Sequence, residues 1–268
     1  MSDGAIGSYF QRVGPSSYQP TEHTGGGWDP EELHFSPLGG LLCHAIERHR
    51  GETESPMVLG RISFDILGRL AADVCEIEIE TVRPGRTIEL VEATLTIRGR
   101  AVIHARAWYL ASYETGAVAG GMPPAGPFPS DCDPWDMTAL WPGGYIASLE
   151  VRSAAGATPG RRTVWVRSTV ALVAEEQTSS LAGYIALIDT ANGIAVRETP
   201  SVWMFPNVDL TALFYRQPTG QWVGLDTTVI FGPTGQGVTD SILRDEHGAI
   251  GQAQQLLTVR SLQPKPEA

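Results

Sequence analysis

Alternation of apolar and polar residues at period two runs through most of this chain. Between residues 73 and 83, Val74, Glu76, Glu78 and Glu80 interleave with Cys75, Ile77, Ile79 and Thr81, as in a strand with one buried face. The same reading predicts strands over residues 57–67, 87–98 and 101–113, the last two forming a hairpin across Gly99-Arg100. Short strands are expected near 8–13 and 18–22, ahead of the first helix. That helix is expected over 37–50. Ser36 serves as its N-cap, Pro37 takes the first helical position, and Gly51 ends it. Its apolar side carries Leu38, Leu41, Leu42, Ala45 and Ile46. Four strands in a row after a helix imply an antiparallel sheet rather than a βαβ series.

Residues 116–143 interrupt this pattern with Gly, Pro and Ala. So long an irregular stretch marks a boundary. The expected organisation is an N-terminal repeat over 1–115, a Gly/Pro-rich linker over 116–143, and a C-terminal repeat over 144–268. The second part restates the first: strands over 145–152 and 163–172, a helix over 179–191, a strand stretch over 201–217, a strand over 222–231, and a hairpin of 235–244 with 249–260. Laid over each other, the helices and the strand after them match at an offset of 144, which puts Asp65 on Asp209. The hairpins match at 148, which puts Ala107 under Gln255. The element order, met twice, argues for an internal duplication.

Composition narrows the function. The 268 residues carry a formal charge of −11, which argues against a nucleic-acid surface or a polybasic membrane patch. No apolar run is long enough for a membrane helix, and the first residues lack the basic and apolar regions of a signal peptide. Three widely spaced cysteines, Cys43, Cys75 and Cys132, fit neither a disulfide framework nor a zinc site. A reduced, cytoplasmic protein is the expectation. His34, His44 and His49 place no two rings on one helix face, so no metal is expected. No Gly-x-Ser-x-Gly elbow occurs, which sets aside a serine α/β-hydrolase.

One stretch concentrates candidate chemistry. Residues 201–218 are apolar and aromatic, bounded by prolines, and hold a single carboxylate, Asp209. A carboxylate in such company must be paired, hydrogen-bonded, protonated or functional. Gly39-Gly40, in the first turns of the first helix, suit close approach to a helix N-terminus, where negative charge is favoured.

The chain resembles the double-hot-dog acyl-CoA thioesterases of type II. The resemblance is carried by Pro206-Asn-Val-Asp-Leu-Thr211, Gly220-Gln-Trp-Val-Gly-Leu-Asp226, Gly232-Pro-Thr-Gly-Gln-Gly237, His247-Gly-Ala-Ile-Gly-Gln-Ala-Gln-Gln-Leu256 before Arg260, and Val58-Leu-Gly-Arg-Ile-Ser-Phe-Asp-Ile-Leu67 in the first half. It implies an α+β fold of two tandem hot-dog repeats, each an antiparallel sheet wrapped around a long helix. It implies hydrolysis of fatty acyl-CoA to free acid and CoA without a cofactor, and it is compatible with a homodimer. In that family an Asp, a Ser or Thr and a Gln hold the attacking water. The resemblance points to Asp209 and Gln255. The family's hydroxyl falls near Val229 or Ile230, which have none. Alternation favours Thr227, and a one-residue bulge would present Thr228 instead. Gly39 and Gly40 are the expected oxyanion region, and His34 is a candidate for lining the acyl site. Two rivals stay open: a non-catalytic acyl-CoA-binding protein, and a hydratase or dehydratase on the same fold. The latter chemistry uses an Asp–His pair on the helix, and Asp189 has no histidine near it in sequence.

Overall fold

The computed structural model describes residues 7–29, 31–51 and 57–262. The first half contains β1 (Ser8–Arg12), β2 (Ser17–Pro20), α1 (Phe35–Gly51), β3 (Val58–Ile66), β4 (Cys75–Arg83), β5 (Ile88–Ile97) and β6 (Arg100–Leu110). After the irregular segment come β7 (Asp133–Pro134), the single turn α2 (Gly144–Ala147), β8 (Leu149–Ser153), β9 (Arg161–Ser168) and β10 (Ala171–Val173). Then follow α3 (Ser180–Ile188), the single turn α4 (Ala191–Ile194), β11 (Trp203–Met204), β12 (Asp209–Phe214), β13 (Val223–Phe231), β14 (Gln236–Asp245), β15 (Gly248–Thr258) and β16 (Arg260–Ser261).

Fourteen of the strands make one sheet, in the order β10-β1-β2-β4-β5-β6-β3-β12-β15-β14-β13-β9-β8-β7. The two halves join where β3 runs antiparallel to β12. The sheet wraps α1 and α3, whose apolar residues, among them Leu38, Leu41, Leu42, Ile46, Ile185 and Ile188, are buried against inward strand residues such as Ile62 and Leu210. This is the double hot-dog α+β architecture expected from the element order.

The strand registers define the repeat more sharply than the sequence does. Ser63 faces Thr211 at the centre of the joint, and this pair is 148 residues apart. The same spacing relates the two hairpins, including a register irregularity at Leu95/Thr96 in one and at Leu243/Arg244 in the other. The offset of 144 therefore does not hold for the central strands. Asp209 corresponds to Arg61, and Asp65 faces Asp209 across the ladder without being its repeat mate. The sequence alignment was misled because two similar acids sit on strands that pair antiparallel.

Several predicted elements differ in extent; the strand expected over 163–172, for one, is the two strands β9 and β10. The stretch 201–217 is a strand only at Trp203–Met204 and Asp209–Phe214, since Pro206 cannot donate to a ladder. Residues 144–147 form a helical turn before β8. Gly143 precedes it at φ 122, its backbone set against the carbonyls of Gly25 and Gly26.

The helices pack antiparallel, each start beside the other's end. Gly40 makes this possible. A Cβ there would lie 2.5 Å from the Cβ of Ala186 and 3.0 Å from the carbonyl oxygen of Ala182. Gly39 lies against the ring of Phe35 and the side chain of Ile185. The close approach that the two glycines admit is thus helix on helix.

Candidate active site

Ser179 caps α3 by accepting from the N–H of Ala182 at 3.0 Å. The helix that follows is apolar almost throughout, and it delivers Asp189 at its C-terminal end, 5% exposed. Two amides meet this carboxylate. Gln255 Nε2 donates to Asp189 Oδ1 at 2.7 Å, and Asn207 Nδ2 donates to the same oxygen at 2.8 Å. Asn207 also donates to the carbonyl of Asp209 at 3.0 Å. Asn192, buried on α4, donates to the carbonyl of Phe205 at 3.2 Å. Among the described residues no hydrogen bond reaches Oδ2. Burial raises the Asp189 pKa to about 6, although the bonds from Asn207 and Gln255 oppose the shift.

The start of α1 faces this acid from the first half. His34, just before the helix, places Nδ1 3.7 Å from Asp189 Oδ2. The pair is not an ion pair. Nδ1 accepts the N–H of Ser36 at 3.1 Å, so that nitrogen carries no proton, and burial lowers the His34 pKa to about 3. The neutral ring stacks at 4.2 Å on Tyr145, and its remaining proton belongs on Nε2. Asp189, Asn207, His34 and Asn192 line a cavity of about 200 Å³, whose other walls include Trp28, Leu33, Phe35 and Trp141.

The residues expected from sequence are distributed unevenly around this centre. Gln255 is in it, 2% exposed, on β15. His34 lines the cavity. Asp209 is half-buried at the start of β12, and its Oδ1 accepts the backbone N–H of Leu256 at 2.6 Å. It thereby satisfies a strand donor beside Gln255, while the amide of Gln255 turns to Asp189. Thr227 is buried, but its hydroxyl pairs with Ser241 Oγ at 2.8 Å. Thr228 points outward and is exposed. The residue opposite Gln255 on the neighbouring strand is Thr239. The Thr239 hydroxyl and Gln255 Oε1 are both buried without a hydrogen-bond partner among the described residues. Gly39 and Gly40 are the fifth and sixth residues of α1, beyond the N–H groups that a helix leaves free at its start.

Sequence reasoning missed Asp189 and Asn207. Asp189 had a signal, an acid closing a helix of otherwise apolar residues. Asn207 had none, because an amide before a strand is an ordinary turn residue. No histidine is near Asp189 in sequence, yet His34 comes within 3.7 Å of it from the other repeat.

Comparison with known proteins agrees with this architecture. Residues 24–110 match the family model for the acyl-CoA thioesterase N-terminal domain, and residues 129–259 match the model for the C-terminal domain. Among curated proteins no match is found. Among solved structures, a hot-dog-fold protein of unknown function from Alicyclobacillus acidocaldarius superposes with a TM-score of 0.74 at 16% identity, covering 94% of this chain and 95% of its own. The acyl-CoA thioesterase II TesB2 from Mycobacterium marinum superposes with a TM-score of 0.61 at 14% identity, covering 96% of each chain. With both halves of the fold matched in order by the two domain models, the chain belongs to the double-hot-dog acyl-CoA thioesterase family and is a thioester hydrolase.

Proposed function

We propose that the protein hydrolyses acyl-CoA thioesters to the free acid and CoA, with Asp189 as the general base. The observation that carries this is the buried carboxylate itself. Its Oδ1 is fixed by Gln255 and Asn207, its Oδ2 has no donor among the described residues, and it lines a cavity at the start of α1. A water bound at Oδ2 gives its proton to Asp189 as its oxygen attacks the thioester carbonyl. The carbonyl π pair moves to the oxygen. That oxyanion is stabilised by the positive end of α1 and by the Nε2–H of His34. Collapse of the tetrahedral species expels the CoA thiolate, which takes up the proton from Asp189. A thiolate leaves readily, so the demand falls on the water and the oxyanion.

In this reading Gln255 and Asn207 are positioning residues that direct Oδ2 to the cavity. Asn207 stands in for the hydroxyl that the family resemblance led us to expect at Thr227 or Thr228. Asp209, the acid first singled out, has the role of a backbone acceptor for β15. The proximity of His34 to Asp189 favours a second reading, hydration of an enoyl thioester by an Asp–His pair. The bond from Ser36 to Nδ1 opposes it, because the ring nitrogen nearest the acid is already in use.

One assay separates these. CoA release and enoyl-CoA hydration are measured for wild type, Asp189→Asn and Asp209→Ala, with folding checked by circular dichroism. Wild-type CoA release that Asp189→Asn abolishes and Asp209→Ala largely keeps supports the reading. If folded Asp209→Ala loses activity and Asp189→Asn keeps it, the base is Asp209. Hydration without CoA release establishes the second reading.

A further inference from the structure

Part of the lining of the cavity at Asp189 is an aromatic wall, and both tryptophans in that wall come from segments without regular secondary structure. Trp28 lies in the loop before α1, and Trp141 lies in the irregular segment between the repeats. Their rings meet edge to face, with centroids 4.7 Å apart at 72°. Phe205 packs against both, at 5.2 Å from Trp28 and 6.0 Å from Trp141, and Phe231 stands 5.4 Å behind Phe205. The far side of the wall is therefore filled.

The wall is also fixed. Trp141 Nε1 donates to the carbonyl of Gly193 at 2.8 Å. A Cβ on Gly193 would come within 3.0 Å of that same nitrogen. The Trp28 loop is tied by Gly26 N–H to the Glu32 carbonyl at 2.7 Å, by His34 N–H to the Thr24 carbonyl at 2.8 Å, and by Leu33 N–H to the Leu70 carbonyl at 2.7 Å. Trp141 is thus held by its own indole bond, and the Trp28 loop is anchored on both sides of Trp28 by backbone bonds.

We infer that Trp28 and Trp141 set the length of the acyl group, restricting the enzyme to compact acyl-CoA substrates: a short chain or a single aromatic ring, not a long fatty chain. This rests on the thioester-hydrolase reading of the same site. The cavity, about 200 Å³ and partly open to solvent, is slightly larger than an apolar cavity of about 150 Å³ that accommodates benzene. Leu33, Phe35, Ile66, Leu70 and Ile146 add apolar lining, while Asp29, Glu32 and Thr190 also border the cavity. The paired indole edges and faces also suit an aromatic ring.

The test uses two readouts on the full chain. Binding of S-alkyl-CoA thioethers, which cannot be hydrolysed, is measured by calorimetry from S-butyl to S-hexadecyl, together with S-phenethyl. Affinity is expected to rise about fourfold for each methylene while the cavity fills, and then to stop rising or fall before the decyl length. In parallel, kcat/KM is compared for hexanoyl-, octanoyl-, phenylacetyl- and palmitoyl-CoA in wild type, Trp28→Ala and the milder Trp28→Phe. Wild type is expected to favour the first three by at least tenfold over palmitoyl-CoA, and folded Trp28→Ala to move the optimum to longer chains. Affinity that climbs without a break to S-hexadecyl overturns the inference. So does equal turnover of octanoyl- and palmitoyl-CoA by wild type, or an unchanged chain-length profile in both folded variants. If no thioester is hydrolysed while the thioethers still show the break, hydrolysis fails and the length limit stands.

Discussion

Two antiparallel helices create two places where the start of one meets the end of the other, and this molecule has made them differently. At the first, the start of α1 faces Asp189, with Gln255 and Asn207 on the carboxylate and a cavity alongside. At the second, the start of α3 faces the end of α1, and Ser179 donates to Glu47 Oε2 at 2.6 Å. There the repeat spacing puts Ala107 in place of Gln255 and Leu59 in place of Asn207. The surroundings are filled instead. Arg50 reaches Glu89 at 2.5 Å and lies over the ring of Tyr109 at 3.6 Å. Burial raises the Glu47 pKa, as it does for Asp189, but among the described residues no side-chain amide bonds to Glu47. The comparison teaches that an acid near a helix junction is not by itself a site, which also needs amides to aim the acid and space for a substrate.

The largest test of that contrast is Asp189→Asn against Glu47→Gln. The first is expected to lower kcat by about a thousandfold, within the range for a lost general base, and the second to leave kcat within a factor of about two. Removing the amide comes next. Gln255→Ala is expected to lower kcat about a hundredfold with little change in KM, since it frees the carboxylate to turn. The reciprocal Ala107→Gln is expected to bring no activity to the second junction. It should lower the denaturation free energy by about 1–3 kcal/mol, because a buried amide finds no partners there.

Smaller effects follow from protonation. As a base with a pKa of about 6, Asp189 predicts kcat/KM that falls tenfold per pH unit below that value and is level above it. Stability runs the other way. The folded pKa lies above the ordinary 3.8, so the folded state holds the proton more tightly, and stability declines as pH rises from about 4 to about 6. Asp189→Asn is therefore expected to melt a few degrees higher than wild type at pH 8, read by thermal unfolding. A lower melting point would mean that the charged form is stabilised by its amide partners more than burial costs.

The elements themselves were legible because their signals are local. Alternation gave β4, β5, β6, β13, β14 and β15 to within three residues at each end, and Ser36-Pro37 with Gly51 placed α1 to within two residues. Gln255 was reached through the family resemblance rather than through any local pattern. Asp209 was singled out for sitting in an apolar stretch, yet that apolarity belongs to alternate positions of one short strand, and its own side chain reaches a backbone donor. The irregular stretch 116–143 was legible as a break in the pattern but not as a source of structure. Met137 and Trp141 from it are buried in the core, because a large aromatic gains from burial even where the backbone is irregular.

By itself the sequence determined the duplication, the antiparallel sheet around each helix, and the asymmetry between Gln255 and Ala107. The elements follow from residue period and capping, which act within a few positions, and the asymmetry from laying one half of the chain over the other. The tertiary structure decided which acid the amide meets, which histidine faces that acid, and which tryptophans close the cavity. Those depend on how two helices cross at Gly40 and Ala186 and on where two irregular segments come to rest. Such choices are made by packing between residues far apart in the chain, and no local pattern records them.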